Sequence, residues 1–292
     1  MKEIFIQLRN YLREGDKRVG LFTSLIVAIL VTLNYTIGIE RTIKGYDSHS
    51  LRLISFFFLY AFIFATSYGI QFLFSDKVLP YKKQFLFLLL LCPLLFAAKI
   101  SLDFSSLFNY EGLSDIWARY WKLIVNWPLK CLFILSIIYS VWRLNSYDGP
   151  VAGMNWNFKW KPYILLLLCA IPLLVIAGAM NEFQQTYPKV KNSAFIFPYT
   201  KSDFLPTLLY ELSYGTDFLT IESFFRGFVV LSFVRYVDKD AILPMAAFYC
   251  SIHFGKGVTP AAPGSAKGLF LVVSDIVAAR AELVDRGVKG SE

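Results

Sequence analysis

Three ionisable residues, Asp217, Glu222 and Arg226, stand in DFLTIESFFRGF (217 to 228), inside one of the most apolar parts of the chain. On a helix Glu222 and Arg226 lie four residues apart, so a carboxylate and a guanidinium share one face and can pair. Asp217 falls one turn before Ile221 and about 40° from it around the helix. An ionised side chain at mid-membrane costs roughly 2.5 to 3.5 kcal/mol on insertion scales, so such groups pair or face protein interior or water. One reading of Glu222 and Arg226 is therefore an ion pair that only fixes packing. The other is chemical. His253 follows in YCSIHFGK, with Tyr249 one turn earlier on its face; carboxylate and imidazole are ligand types that zinc uses with an activated water. A single histidine in such a place also reads as a hydrogen-bonded core residue.

The elements that must position these groups are membrane helices. Of 292 residues, 56% are hydrophobic and 28 are phenylalanine; a mean hydropathy of +0.52 is far too apolar for a soluble domain of this size. Apolar runs near 20 to 39, 51 to 74, 84 to 98 around Pro93, 123 to 142, and 162 to 180 with Pro172 read as membrane-spanning helices. Two further helical segments run from Pro206 to Val237 and, with Pro244 in the first turn, from after Asp240 through MAAFYCSIHF. Only RYVDKD lies between them, which predicts antiparallel neighbours. The expected fold is all-α, a polytopic bundle of about seven transmembrane helices over 20–256.

Residues 1–19 set Ile4, Phe5, Leu8, Tyr11 and Leu12 against Lys2, Arg9, Arg13, Lys17 and Arg18, the pattern of an interfacial basic arm on anionic lipid; a solvated basic arm is the other reading. Five Lys or Arg in the arm, against three in and just after the first loop, place the amino terminus inside. The net charge of +8 comes largely from such flanks, so it reads as membrane anchoring, with no nucleic-acid partner. Cys92, Cys131, Cys169 and Cys250 have no CxxC spacing and read as small buried apolar residues. Past Lys256 the composition shifts: 257–292 holds six alanines and one aromatic residue, Phe270. GLFLVVSD reads as a strand and IVAARAELVDRG as an amphipathic helix, so a short soluble strand–helix tail is expected there. That tail resembles a strand–helix unit of the glyoxalase and bleomycin-resistance superfamily without its metal ligands, and reads as a foreign or frame-joined end.

IESFFRGF followed by FYCSIHFGK resembles the paired motifs of the CPBP family of intramembrane metalloproteases, also called the CAAX protease and bacteriocin-processing or Abi family. The family pattern is EExxxR, then FxxxH, then a later helix with a second histidine and an Asn or Asp. The resemblance is best between 204 and 256. It implies a multi-helix bundle holding zinc or a similar divalent metal between helices, and a glutamate that acts on a metal-bound water. The implied substrate is a peptide or protein in or at the membrane. Position by position, Glu222 matches the second glutamate, Arg226 the arginine, Gly227 the small residue after it, and His253 the histidine. The resemblance thus makes Glu222 and His253 metal ligands and Arg226 the group that orients Glu222. Ile221 stands where the first glutamate belongs, and Asp217 is the candidate for its role. Tyr249 replaces the phenylalanine. The other histidine, His49, lies in the first loop, so the later histidine helix is lacking and the chain reads as a member truncated after residue 256. The expected place is a bacterial cytoplasmic (inner) membrane, crossed several times. Two other classes stay open: a non-catalytic scaffold or bacteriocin-immunity-type protein on the same fold, and a polytopic transporter, which the lack of an apparent inverted repeat disfavours.

Overall fold

The computed structural model describes residues 15–74, 83–145, 150–154, 160–179 and 189–252, together with residues 13, 147 and 184. The chain divides into two units, Met1–Lys256 and Gly257–Glu292. The second unit, and with it the expected strand–helix tail, lies outside the described residues, as do residues 1–12 and 14 of the basic arm.

Helix α1 (Lys17–Ile37) starts where Asp16 accepts a hydrogen bond from the Arg18 amide at 2.8 Å. It stops at Gly38, whose φ of +76° is one that glycine adopts without a Cβ clash and whose N–H returns to the Asn34 carbonyl. A short helix α2 (Ile39–Lys44) leads to α3 (His49–Phe74), α4 (Lys83–Ser101, with Pro93 inside) and α5 (Asp115–Leu144). After α6 (Trp160–Gly178) come α7 (Phe204–Glu222), a π-helical stretch (Ser223–Val229), α8 (Val230–Val237) and α9 (Ile242–Ser251). Helices α1, α3, α4 and α5 are long and apolar enough to cross a membrane. Their starts and ends match the expected runs closely except for α5, which begins at Asp115, eight residues before the expected 123. Its first two turns carry Arg119 and Lys122, so a search for apolar runs passes over them.

Four crossings, not seven, are long and apolar enough among the described residues. Helix α6 is apolar, and none of its side chains that are described belongs to the buried core. The run from Phe204 to Val237 is continuously helical, as expected, while α9 is a ten-residue helix.

Lipid is as apolar as leucine, so the hydrophobic effect does not hold such helices together; close packing does. Here the packing is aromatic. Phe56, Tyr60, Phe64 and Tyr68 repeat every fourth residue and line one face of α3. Phe233 of α8 sits 5.3 Å from Phe64, 5.1 Å from Tyr68 and 5.2 Å from Phe85 of α4, centroid to centroid, mostly edge to face. Phe96, Phe225 and Phe248 close the other end of the same core. The outer faces carry exposed Leu21, Ile29, Phe58, Phe62, Leu73, Phe87, Leu90 and Leu132, which is what a bilayer accepts and water does not. A second, smaller core forms where the first half of α5 meets the start of α7 and a 3-10 segment (Lys189–Tyr199). It buries Tyr120, Ile124, Ile196 and Tyr210, and the Tyr120 hydroxyl donates to the Pro206 carbonyl at 2.7 Å.

Of the four cysteines expected to be buried, Cys92 and Cys131 are; Cys169 and Cys250 are exposed. An apolar segment in lipid has an outer face, so apolar context does not imply enclosure.

Candidate functional site

The motif segment changes helix type at the residues that drew attention. Glu222 ends α7, and from Ser223 to Val229 the backbone runs as a π-helix, a local form often found at functional sites. Phe224, Phe225, Gly227, Phe228 and Val229 of that stretch are buried, whereas Arg226 is exposed. The stretch is locked from behind by residues 150–154. A Cβ on Gly227 would stand 2.5 Å from the Ala152 carbonyl oxygen and 2.9 Å from the Ala152 Cβ, so only glycine permits this approach. Ala152 itself takes φ +50°, and the Ser223 hydroxyl lies 3.9 Å from the Met154 sulfur.

Glu222 and Arg226 do pair, Oε2 to Nη1 at 2.9 Å. Their side chains are 44% and 71% exposed, so the pair opens to the surroundings. Ile221, at the position of the family's first glutamate, packs against the aromatic core instead. Asp217 does not join the Glu222 pair. Its Oδ1 is 2.6 Å from the Lys99 ammonium, and both side chains are largely enclosed, Lys99 at 8% and Asp217 at 22% exposure. Lys99 also lies 5.3 Å from the centre of the Phe96 ring.

The second motif helix reaches the first. Phe248 and Tyr249 of α9 place their rings 5.0 and 5.1 Å from Phe225, so the last described turn of α9 borders the π stretch. Otherwise α9 packs on α3 and α1. His253 lies outside the described residues.

No known family, curated protein or solved structure matches the chain.

Catalytic zinc takes three protein ligands and an open position. Among the described residues no three His, Cys, Asp or Glu side chains gather to hold a metal; of the two ligands that the motif resemblance implies, only Glu222 is described, and it is ion-paired. In a site of that kind His253 and a further donor would have to complete the set that Glu222 begins.

Lys99, Lys130 and the 150–154 segment carry no motif in the sequence. Lys99 is inside the last turn of α4 and Lys130 is at the centre of α5. A lysine within an apolar run was the available signal, because its ammonium must find a partner. The seating of Ala152 on Gly227 is a long-range contact with no local signature.

Proposed function

We propose that this chain is a multi-pass protein of a bacterial cytoplasmic membrane built on the frame of the CPBP-type intramembrane metallopeptidases. Its proposed substrate is a peptide or protein segment in or at the bilayer. In this reading the bundle has about seven crossings, adding α6, the α7 to α8 run and the α9 segment to the four long apolar helices. Glu222 and His253 are the metal-ligating pair, zinc or a similar divalent ion the group they hold, and Arg226 the side chain that orients the Glu222 carboxylate. The metal would supply Lewis-acid chemistry for peptide hydrolysis.

The observation that carries the reading is the contact of Phe225 with Tyr249 at 5.1 Å. It brings the ESFFRGF turn beside the helix that leads to His253, which an acid–imidazole site between the two motifs requires. Glu222, at the end of α7, and Arg226 of the π stretch form an open pair, with Gly227 seated against Ala152. In the chain's own chemistry, Arg226 supplies a permanent guanidinium that holds one Glu222 oxygen, leaving the other free to accept a proton or meet a metal.

A second reading is favoured by a different observation. The enclosed Lys99–Asp217 pair occupies the carboxylate nearest the motif, and Glu222 stands in an open pair. On that basis the chain is a non-catalytic scaffold or bacteriocin-immunity-type protein whose ion pairs fix helix packing.

Metal content of the detergent-purified full chain separates the two. Stoichiometric zinc that disappears in His253→Ala while the fold is kept supports the peptidase reading. Metal-free protein that is merely less stable with the same change supports the scaffold.

A further inference from the structure

Cations converge where the start of α3, the end of α4 and the middle of α5 meet. Lys99 is neutralised by Asp217 at 2.6 Å. Lys130, half-buried, lies within electrostatic reach of Lys99, Asp103, Asp217 and Arg52, yet among the described residues no carboxylate forms an ion pair with it. Asp103 is engaged locally, its Oδ1 accepting from the Ser105 amide at 3.0 Å and the Ser105 hydroxyl at 2.7 Å. Arg52 places Nη2 2.7 Å from His49 Nδ1, and its Nε is buried with no hydrogen-bond partner among the described residues. The buried Ser101 hydroxyl has none either. Positive charge and unmet donors thus accumulate in one place, and in a poorly hydrated setting that arrangement calls for an anion.

The level of this cluster is set by the fold. His49 Nδ1 sits 3.0 Å from the Ser101 carbonyl oxygen, so the start of one membrane-crossing helix and the end of the next coincide there. Such a level lies at the edge of the hydrocarbon, where headgroup phosphates are found. Helix α5 continues beyond it. Arg119, Lys122, Asn126 and Lys130 follow at steps of three, four and four and share one face. The first three line a cavity of about 490 Å³ together with Asp103, Ser105 and Trp127, and Asp115 adds its other carboxylate. At about 30 Å³ per water molecule, that space holds a phosphate group with its remaining hydration. The Arg119 guanidinium carbon lies over the Phe195 ring, 4.2 Å from its centre, a contact that restrains its planar fork of donors.

We propose that this cavity, with Lys130 one helical turn beyond Asn126, binds a phosphate oxyanion, carried by an anionic phospholipid headgroup or present as free inorganic phosphate. Arg119, Lys122 and Lys130 donate charge-assisted hydrogen bonds to its oxygens, and basic pockets between membrane helices are the known kind of headgroup site. The assignment is independent of the peptidase reading.

The test uses the full chain in mild detergent, titrated with short-chain phosphatidylglycerol, short-chain phosphatidylcholine or inorganic phosphate, with thermal midpoint and retained lipid in native mass spectrometry as readouts. Phosphatidylglycerol is expected to raise the midpoint and stay bound where phosphatidylcholine does not. Lys130→Gln and Lys122→Gln are each expected to weaken it about tenfold, Lys130→Arg to restore it, and Lys44→Gln, an exposed cation elsewhere, to change nothing. A comparable midpoint rise with inorganic phosphate, competing with the lipid, assigns the site to free phosphate; no rise with phosphate assigns it to the headgroup. Equal response to the two lipids with none to phosphate, or unweakened binding in both glutamine variants, overturns the proposal.

Discussion

Asp217 looked like a stand-in for an absent glutamate, and what decides its surroundings is an ammonium from another helix. Helical arithmetic placed it correctly on the face shared with Ile221 but could not reveal Lys99, 118 positions earlier in the chain. Removing one partner of an enclosed ion pair leaves an unpaired charge and costs about 3 to 5 kcal/mol, whereas replacing both with apolar residues costs little. Lys99→Met and Asp217→Asn are therefore each expected to lower the thermal midpoint in detergent, and Lys99→Met/Asp217→Leu to recover it. If Asp217 instead acts on water, Asp217→Asn abolishes peptide cleavage in a way that Lys99→Met does not reproduce. A second residue-scale prediction concerns Asp16. The hydrogen bond from the Arg18 guanidinium holds its carboxyl below the usual aspartate value. A lowered folded-state value means that Asp16 stabilises the start of α1 above the unfolded aspartate range and loses that effect as pH falls through the folded value. The midpoint difference between the unaltered chain and Asp16→Asn should be present at neutral pH and vanish in acid; a difference independent of pH would contradict this.

At the scale of elements, the membrane helices were legible because an apolar run long enough to span is a strong signal, and α1, α3 and α4 begin and end within a few residues of where composition put them. What composition could not give was the early start of α5, hidden by its charged first turns, or the π stretch at Ser223–Val229, whose Gly227 packs against the remote Ala152. Gly227 makes the π stretch testable. An alanine there would drive a Cβ to 2.5 Å from a carbonyl oxygen, so Gly227→Ala should cost roughly 1 to 3 kcal/mol by overpacking and displace residues 150–154. Gly20, within α1 and with nothing within 4 Å of where a Cβ would stand, gives the contrast: Gly20→Ala should be neutral or stabilising by up to about 1 kcal/mol. Thermal unfolding of the two variants side by side checks both, and an equal response would remove the tight approach as the reason for the glycine.

For the whole molecule, the aromatic core explains how helices cohere in a solvent as apolar as themselves, and the exposed leucine and phenylalanine faces explain why they need that solvent. The His49 to Ser101 contact also fixes topology. Cysteines introduced at Asp47 and Gly112, on a background lacking the native four, should be labelled by an impermeant reagent from the same side of the membrane, and one at Lys83 from the other. Labelling of all three from one side would refute the α3 to α4 crossing. The functional half of the sequence reading rested on three side chains, Glu222, Arg226 and His253. Two of them meet as the spacing foretold, because residues four apart on a helix must. The third sits beyond the described end of α9, where spacing alone carries no distance. The central claim is that the two motif helices present an acid and an imidazole to one metal ion. Zinc content of the purified full chain, measured beside His253→Ala and Glu222→Gln of equal fold by circular dichroism, tests it most directly. The account predicts stoichiometric zinc in the unaltered chain and its loss in both variants; zinc absent from the unaltered chain, or retained in both variants, would contradict it.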